Sequence, residues 1–165
     1  MSLLTSYHRI SARFHSSSRS LDLLNSRLYD QNGFYQIFNK DLYRCQNELL
    51  IESPFLTIKR IDTLRPILQH LRRRNIAITI NTKPIDEHDP YFASQALESI
   101  GLLQELGITV LFTGGHHRKL AIIDQQILWE GSLNILSQND SCEIMRRIES
   151  VELASQLRRF VKPLK

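Results

Sequence analysis

The sequence predicts an α/β sandwich with a mixed, largely parallel central sheet flanked by helices. Three observations carry that expectation. Short apolar runs rich in β-branched residues recur at 49–52, 76–82 and 108–112. Helix-period stretches at 34–46, 59–75 and 91–106 alternate with them, as strands joined by crossover helices require. After Gly114-Gly115 the apolar runs follow at short intervals, which favours antiparallel pairing.

Taken in order, residues 1–20 hold no acid, three arginines and a run of serines. That composition resembles a mitochondrial targeting segment, but a basic tail or leading helix accounts for it without an organelle. No sustained apolar core follows the start, so no secretory signal is expected. A start inside a larger protein is the alternative. We expect 1–30 to be a basic N-terminal extension or leading helix and 31–165 to be a single domain.

Residues 34–46 place Phe34, Ile37, Phe38, Leu42 and Cys45 on one helical stripe. The strand at 49–52 ends at Ser53-Pro54, because proline cannot join a central ladder. The helix at 59–75 turns Ile61, Leu64, Ile67, Leu68 and Leu71 inward, and Pro66 is expected to kink it or mark its true start. Arg72-Arg73-Arg74 near its end complements the helix dipole, which explains the cluster without a ligand. Residues 76–82 alternate as a half-buried strand.

The segment 83–90 is polar. Its Asp86, Glu87, His88 and Asp89 are consecutive, and consecutive side chains rarely converge on a metal, so a solvent loop at a cleft rim is expected. Residues 91–106 form a helix closed by Gly107, and 108–112 another strand. Strands at 120–123, 127–130 and 143–148 follow, with Gln125-Gln126 as a tight connection, then a helix at 151–161. Trp129 reads as core, and so do Cys45 and Cys142.

Composition narrows the classes. With 42% hydrophobic residues the chain can build one ordinary core, and no apolar run approaches a membrane span. Two cysteines are too few for a disulfide framework, so a reducing, cytoplasmic setting is expected. The net charge of +4 and pI near 9.3 suit a polyanionic partner without requiring one.

The chemistry gathers in His117-Arg118-Lys119, Asp124, Gly131-Ser132 and Asn134. Alternation along an extended strand points His117 and Lys119 the same way and Arg118 the other. An imidazole can attack phosphorus or move protons, and an ammonium beside it neutralises phosphate oxygens. Gly131 lets backbone and the Ser132 hydroxyl come close to a ligand, and Asn134 adds an amide donor. Glu143 is placed to accept a hydrogen bond from the His117 ring and fix its tautomer. His116 sits on a loop whose direction the sequence leaves open.

These residues, with every spacing kept, resemble the motif of the phospholipase D superfamily. The run Trp129-Glu130-Gly131-Ser132 with Glu143-Ile144-Met145 resembles phospholipase D-type nuclease domains attached to some bacterial helicases. The resemblance implies a phospholipase D-like fold and assigns roles. His117 is the nucleophile of a phosphohistidine intermediate, and Lys119 and Asn134 hold the phosphate oxygens. Ser132 supports the phosphate pocket, and Glu143 orients His117. Asp124 is structural, pairing with polar groups near the site. No metal or other cofactor is implied.

The mechanism needs a second histidine to protonate the leaving oxygen, because an alkoxide leaves poorly at neutral pH. His8, His15, His70, His88 and His116 lack a lysine at the required offset, so a homodimer pairing two His117 rings is expected. The leading function is a metal-independent endonuclease acting on nucleic acid, DNA first, with a partner or fused helicase. The alternatives are a phospholipid phosphodiesterase and a nucleic-acid-binding accessory domain with weak or no cleavage.

Overall fold

The computed structural model describes residues 25–137 and 141–161. Seven strands form one sheet: β1 (Ser26–Asp30), β2 (Glu48–Glu52), β3 (Ala77–Thr82), β4 (Thr109–Phe112), β5 (Leu120–Ile123), β6 (Ile127–Gly131) and β7 (Ile144–Glu149). Their spatial order is β1-β7-β6-β5-β2-β3-β4. Helices α1 (Gln31–Arg44), α2 (Ile58–Arg73), α3 (Pro90–Glu105) and α4 (Val151–Val161) flank it, with a 3₁₀ turn at Ile85–Glu87.

The mixed sheet divides into two halves. The strands β2, β3 and β4 run parallel, each reached through a helix. The pairs β2–β5, β5–β6, β6–β7 and β7–β1 are antiparallel. Parallel pairing is therefore less extensive than the sequence suggested. One reason is that β5 and β6 are joined too tightly to do anything but reverse. Their connection starts at Asp124, one residue earlier than expected, holds Asp124 and Gln125 at positive φ (53° and 55°), and closes with Gln126 N donating to Ile123 O at 3.0 Å. The other reason is β1, which lies inside the stretch read as an N-terminal extension and pairs with β7 from Ser26↔Ile148 to Asp30↔Ile144. The expected boundary at residue 31 thus falls after the chain has already joined the sheet. The first 24 residues, with the targeting-like composition, lie outside the described residues.

Strand alternation sorts the core into two layers. Leu49, Ile51, Ala121, Ile123, Trp129 and Met145 face α1, α2 and α3. Leu50, Leu120, Ile122, Leu128 and Ile148 face α4. Trp129 is fully buried and donates from Nε1 to Asp41 at 2.9 Å, and Asp41 in turn holds Arg147. Cys45 is buried, and burial followed by the nearby Asp124 carboxylate pushes its pKa up to about 12, which leaves an inert thiol. Cys142 departs from expectation: it is exposed, in the segment before β7.

Helix α1 starts three residues before the expected point because Asp30 caps it, accepting from Gly33 N at 2.7 Å. Helix α2 runs through Pro66 instead of beginning there. Pro66 is exposed, so the carbonyl it fails to bond faces water. No helix among the described residues is long and apolar enough to cross a membrane.

Candidate active site

The antiparallel register sets Leu120 opposite Glu52, so the residues just before β5 sit at the carboxyl end of the parallel strands. Clefts of α/β sheets gather at that end. His117 and Lys119 lie there, at the entrance to β5, and Gly131 N donates to Lys119 O at 3.3 Å, carrying the β5–β6 ladder one step further. The His117 ring is exposed and makes no hydrogen bond among the described residues. The Lys119 ammonium donates to the His117 carbonyl at 3.1 Å, which ties its stem to the motif loop. Both residues line an open depression of about 460 Å³ together with Gly131, Arg146, Leu28 and Ile144.

Arg118 also lines the depression, but its guanidinium grips the fully buried Glu52. Asn81 Nδ2 donates to Glu52 Oε1 at 2.8 Å, and His116 Nε2 lies 3.3 Å from Glu52 Oε2. Burial works to raise the Glu52 pKa, but His116, Arg118 and Asn81 outweigh it and hold the carboxyl below its usual range. An ionised carboxylate under the motif loop therefore fixes His116 and Arg118 on either side of His117. Glu52 is a residue that sequence reasoning missed. The available signal was an acid closing an apolar strand at the carboxyl end of a parallel sheet.

Asn134 follows β6 in a compact turn, with Ser137 N donating to its carbonyl at 3.0 Å. Its Oδ1 is buried with no hydrogen-bond partner. The turn is pinned from below by Arg60, whose Nε donates to Ile135 O at 3.0 Å and whose guanidinium lies 4.4 Å over the Tyr35 ring. Burial, only partly offset by Tyr35, draws the Arg60 pKa down to about 10. Arg60 also escaped the sequence reading, although its position four residues before Leu64 puts it on the inward stripe of α2.

Gly131 has a different reason from the one expected. A Cβ there would strike the Ile144 carbonyl and come within 2.8 Å of Met145 Sδ, so its space is taken by β7 and not by a ligand. Ser132 Oγ donates to Glu143, which also accepts from Ser141 Oγ at 2.9 Å. Glu143 thus sits immediately before β7 with its carboxylate held by two serines, and no hydrogen bond joins it to the His117 ring.

Asp124 is not brought to this cluster. It closes the far end of β5, about 20 Å from His117 for seven extended residues. Its carboxylate accepts from Gln46 N (2.8 Å), Asn47 N (2.7 Å) and Glu48 N (3.1 Å), organising the turn from α1 into β2. Burial pushes its pKa up, but the three backbone donors prevail and keep it lowered.

The acids of the 83–90 loop have separate duties, as a rim loop would. Glu87 accepts from Gly115 N at 2.9 Å, and Asp89 caps α3 through Tyr91 N and Phe92 N, both at 3.1 Å. Among the described residues, no three His, Cys, Asp or Glu side chains converge as a metal site would need.

The model of the family described as cardiolipin synthase, PLD-like domain, matches residues 39–164. Among solved structures, the phospholipase D family member Nuc from Salmonella typhimurium superposes with a TM-score of 0.67 at 12% identity, covering 82% of this chain and 90% of that one. NucT from Helicobacter pylori gives 0.65 at 19% identity, covering 82% and 91%. Phosphatidylserine synthase from Haemophilus influenzae gives 0.62 at 17%, covering 81% of this chain but 37% of that one. No curated protein sequence matches.

Proposed function

Because the chain belongs to the phospholipase D-like family described as cardiolipin synthase, PLD-like domain, we propose that it is a phosphodiesterase acting on nucleic acid through His117. A homodimer would share the active site. The observation that carries this reading is that the exposed His117 and Lys119 line one open depression, on a loop pinned from behind by Glu52. A ring nitrogen of His117 attacks phosphorus, forming a P–N bond as the P–O bond to the leaving group breaks. The departing alkoxide takes a proton from the second copy's histidine. That histidine, now neutral, removes a proton from water, whose oxygen attacks phosphorus and breaks the P–N bond. Lys119 supplies positive charge to the non-bridging oxygens, and Asn134 an amide donor. Ser132 and Glu143 act as one pair that shapes the wall of the pocket.

A second copy is supported by the surface around His117. Leu28 on β1 is 64% exposed and Ile144 on β7 is 60% exposed, and both line the depression. Exposed apolar side chains flanking a site suit burial against a partner. Two unpaired cysteines fit a reducing, cytoplasmic setting, and we treat the chain from β1 to α4 as one catalytic domain. A helicase is a proposed partner on the resemblance alone.

A second reading, phospholipid phosphodiester cleavage, is favoured by the family description and by the same apolar rim. Sedimentation, together with incubation on labelled DNA or on anionic phospholipid vesicles in EDTA, separates these readings. We expect a dimer that cuts DNA despite chelation and leaves acid-labile phosphate on His117. A monomer, EDTA-sensitive cleavage, or turnover of the vesicles alone would each refute it.

A further inference from the structure

A cluster of rings stands on the rim beside the motif loop, and core packing does not account for it. Phe55 and Phe92 lie 5.2 Å apart between centroids, His88 lies 5.6 Å from Phe55, and Tyr91 lies 5.3 Å from Phe92. The Lys83 ammonium sits 4.3 Å over the Phe55 ring. Tyr91 is 67% exposed, and Phe55 and Phe92 are only half-buried. The rings meet tilted or edge to face, at 57°, 71° and 79°, so they brace one another and leave the exposed Tyr91 ring at the helix start open to another flat, apolar face.

Hydrogen bonds lock this rim to both parts of the motif. Glu87, next to His88, holds Gly115 N two residues before His117. Thr113 N donates to Thr82 O at 2.9 Å, one residue before Lys83. Thr57 N donates to Leu136 O at 2.9 Å and Leu136 N to Ser53 Oγ at 3.2 Å, tying the loop that carries Phe55 to the turn that carries Asn134. The rings therefore hold a fixed position relative to the phosphate chemistry.

We propose that this rim is a stacking platform for unpaired nucleobases, with Tyr91 outermost, so that the enzyme engages nucleic acid as a single strand. The inference rests on the nucleic-acid reading above and deepens it. Charge sets the orientation of the strand. On the rim the three carboxylates Asp86, Glu87 and Asp89 outnumber the one ammonium of Lys83 and repel phosphates, whereas Lys119 attracts them, so the backbone lies along the depression and the bases turn outward onto the rings. A duplex has the faces of its bases already covered, and it gains nothing from such a surface.

The test compares Tyr91→Ala and Tyr91→Trp in the full-length protein. The substrates are a single-stranded oligonucleotide, its duplex, and a single strand of stable abasic analogue. Tyr91→Ala should raise KM for the single strand about 5- to 150-fold with kcat kept, since one stacked base is worth about 1–3 kcal/mol. Duplex and abasic strand should be unaffected, and Tyr91→Trp should retain the unmodified values. Equal losses on all three substrates, or none on the single strand, overturn the platform while nucleic-acid cleavage stands. If the unmodified protein cleaves no nucleic acid, that reading falls and the platform with it. A Tyr91→Ala defect confined to a phosphocholine diester would assign the rings to a quaternary ammonium instead and overturn the proposal.

Discussion

At one end of β5, His117 stands exposed with a ring that makes no hydrogen bond among the described residues, and the ammonium of Lys119 is held on its backbone carbonyl. At the other end, Asp124 has its carboxylate filled by three backbone N–H groups and sits at positive φ in the turn between β5 and β6. One strand, four residues long, separates them. A group whose partners are all satisfied by its own chain has nothing left to offer a substrate. A group held in place by its backbone, with its functional atoms free, does. The motif is thus divided between a carboxylate filled by its own chain and an imidazole left open to solvent.

That contrast can be broken from either end. The largest expected effect is on turnover: His117→Ala should lower phosphodiester cleavage at least about 10⁴-fold while the melting temperature stays within a degree or two of the unmodified protein. Retained cleavage would place the chemistry elsewhere. Asp124→Ala should do the reverse, costing about 3 kcal/mol of stability. It strands backbone donors in the α1–β2 turn and forces alanine into the left-handed region. Denaturant unfolding measures the loss, and kcat per folded molecule should be unchanged. A specific loss of kcat would return Asp124 to the site.

The smallest effect is in the acid limb of stability. Asp124 and Glu52 both have pKa values lowered by the fold. Their contribution is complete above the ordinary carboxylate value of about 4 and drains away as pH falls through their lower folded values. Asp124→Asn keeps the tolerance for positive φ but removes the ionisation. Its melting temperature should fall less between pH 7 and about pH 3 than that of the unmodified protein. Parallel curves for the two proteins would mean that the backbone donors hold no charge.

Much of this was readable from residue order, because it depends on periods and fixed offsets. The alternation of 76–82 and the stripe through Leu64, Leu68 and Leu71 both follow from backbone geometry. What the sequence left hidden involves partners far apart in the chain. Glu52 is 66 residues from Arg118, and Arg60 is 75 residues from Ile135. No local pattern predicts which carboxylate or carbonyl will fill a given gap. Strand β1 was missed for a related reason: it is short and half polar, and it becomes a strand only because β7 offers it an unpaired edge.

The order of residues by itself determined an α/β chain carrying the phospholipase D-like motif, since hydrophobic period and residue chemistry are local properties. Tertiary structure decided that Asp124 braces a turn, that Gly131 yields its space to β7, and that a buried carboxylate steadies the loop holding His117. Those outcomes depend on which strands lie side by side, and that is settled only when the sheet closes its two layers of core.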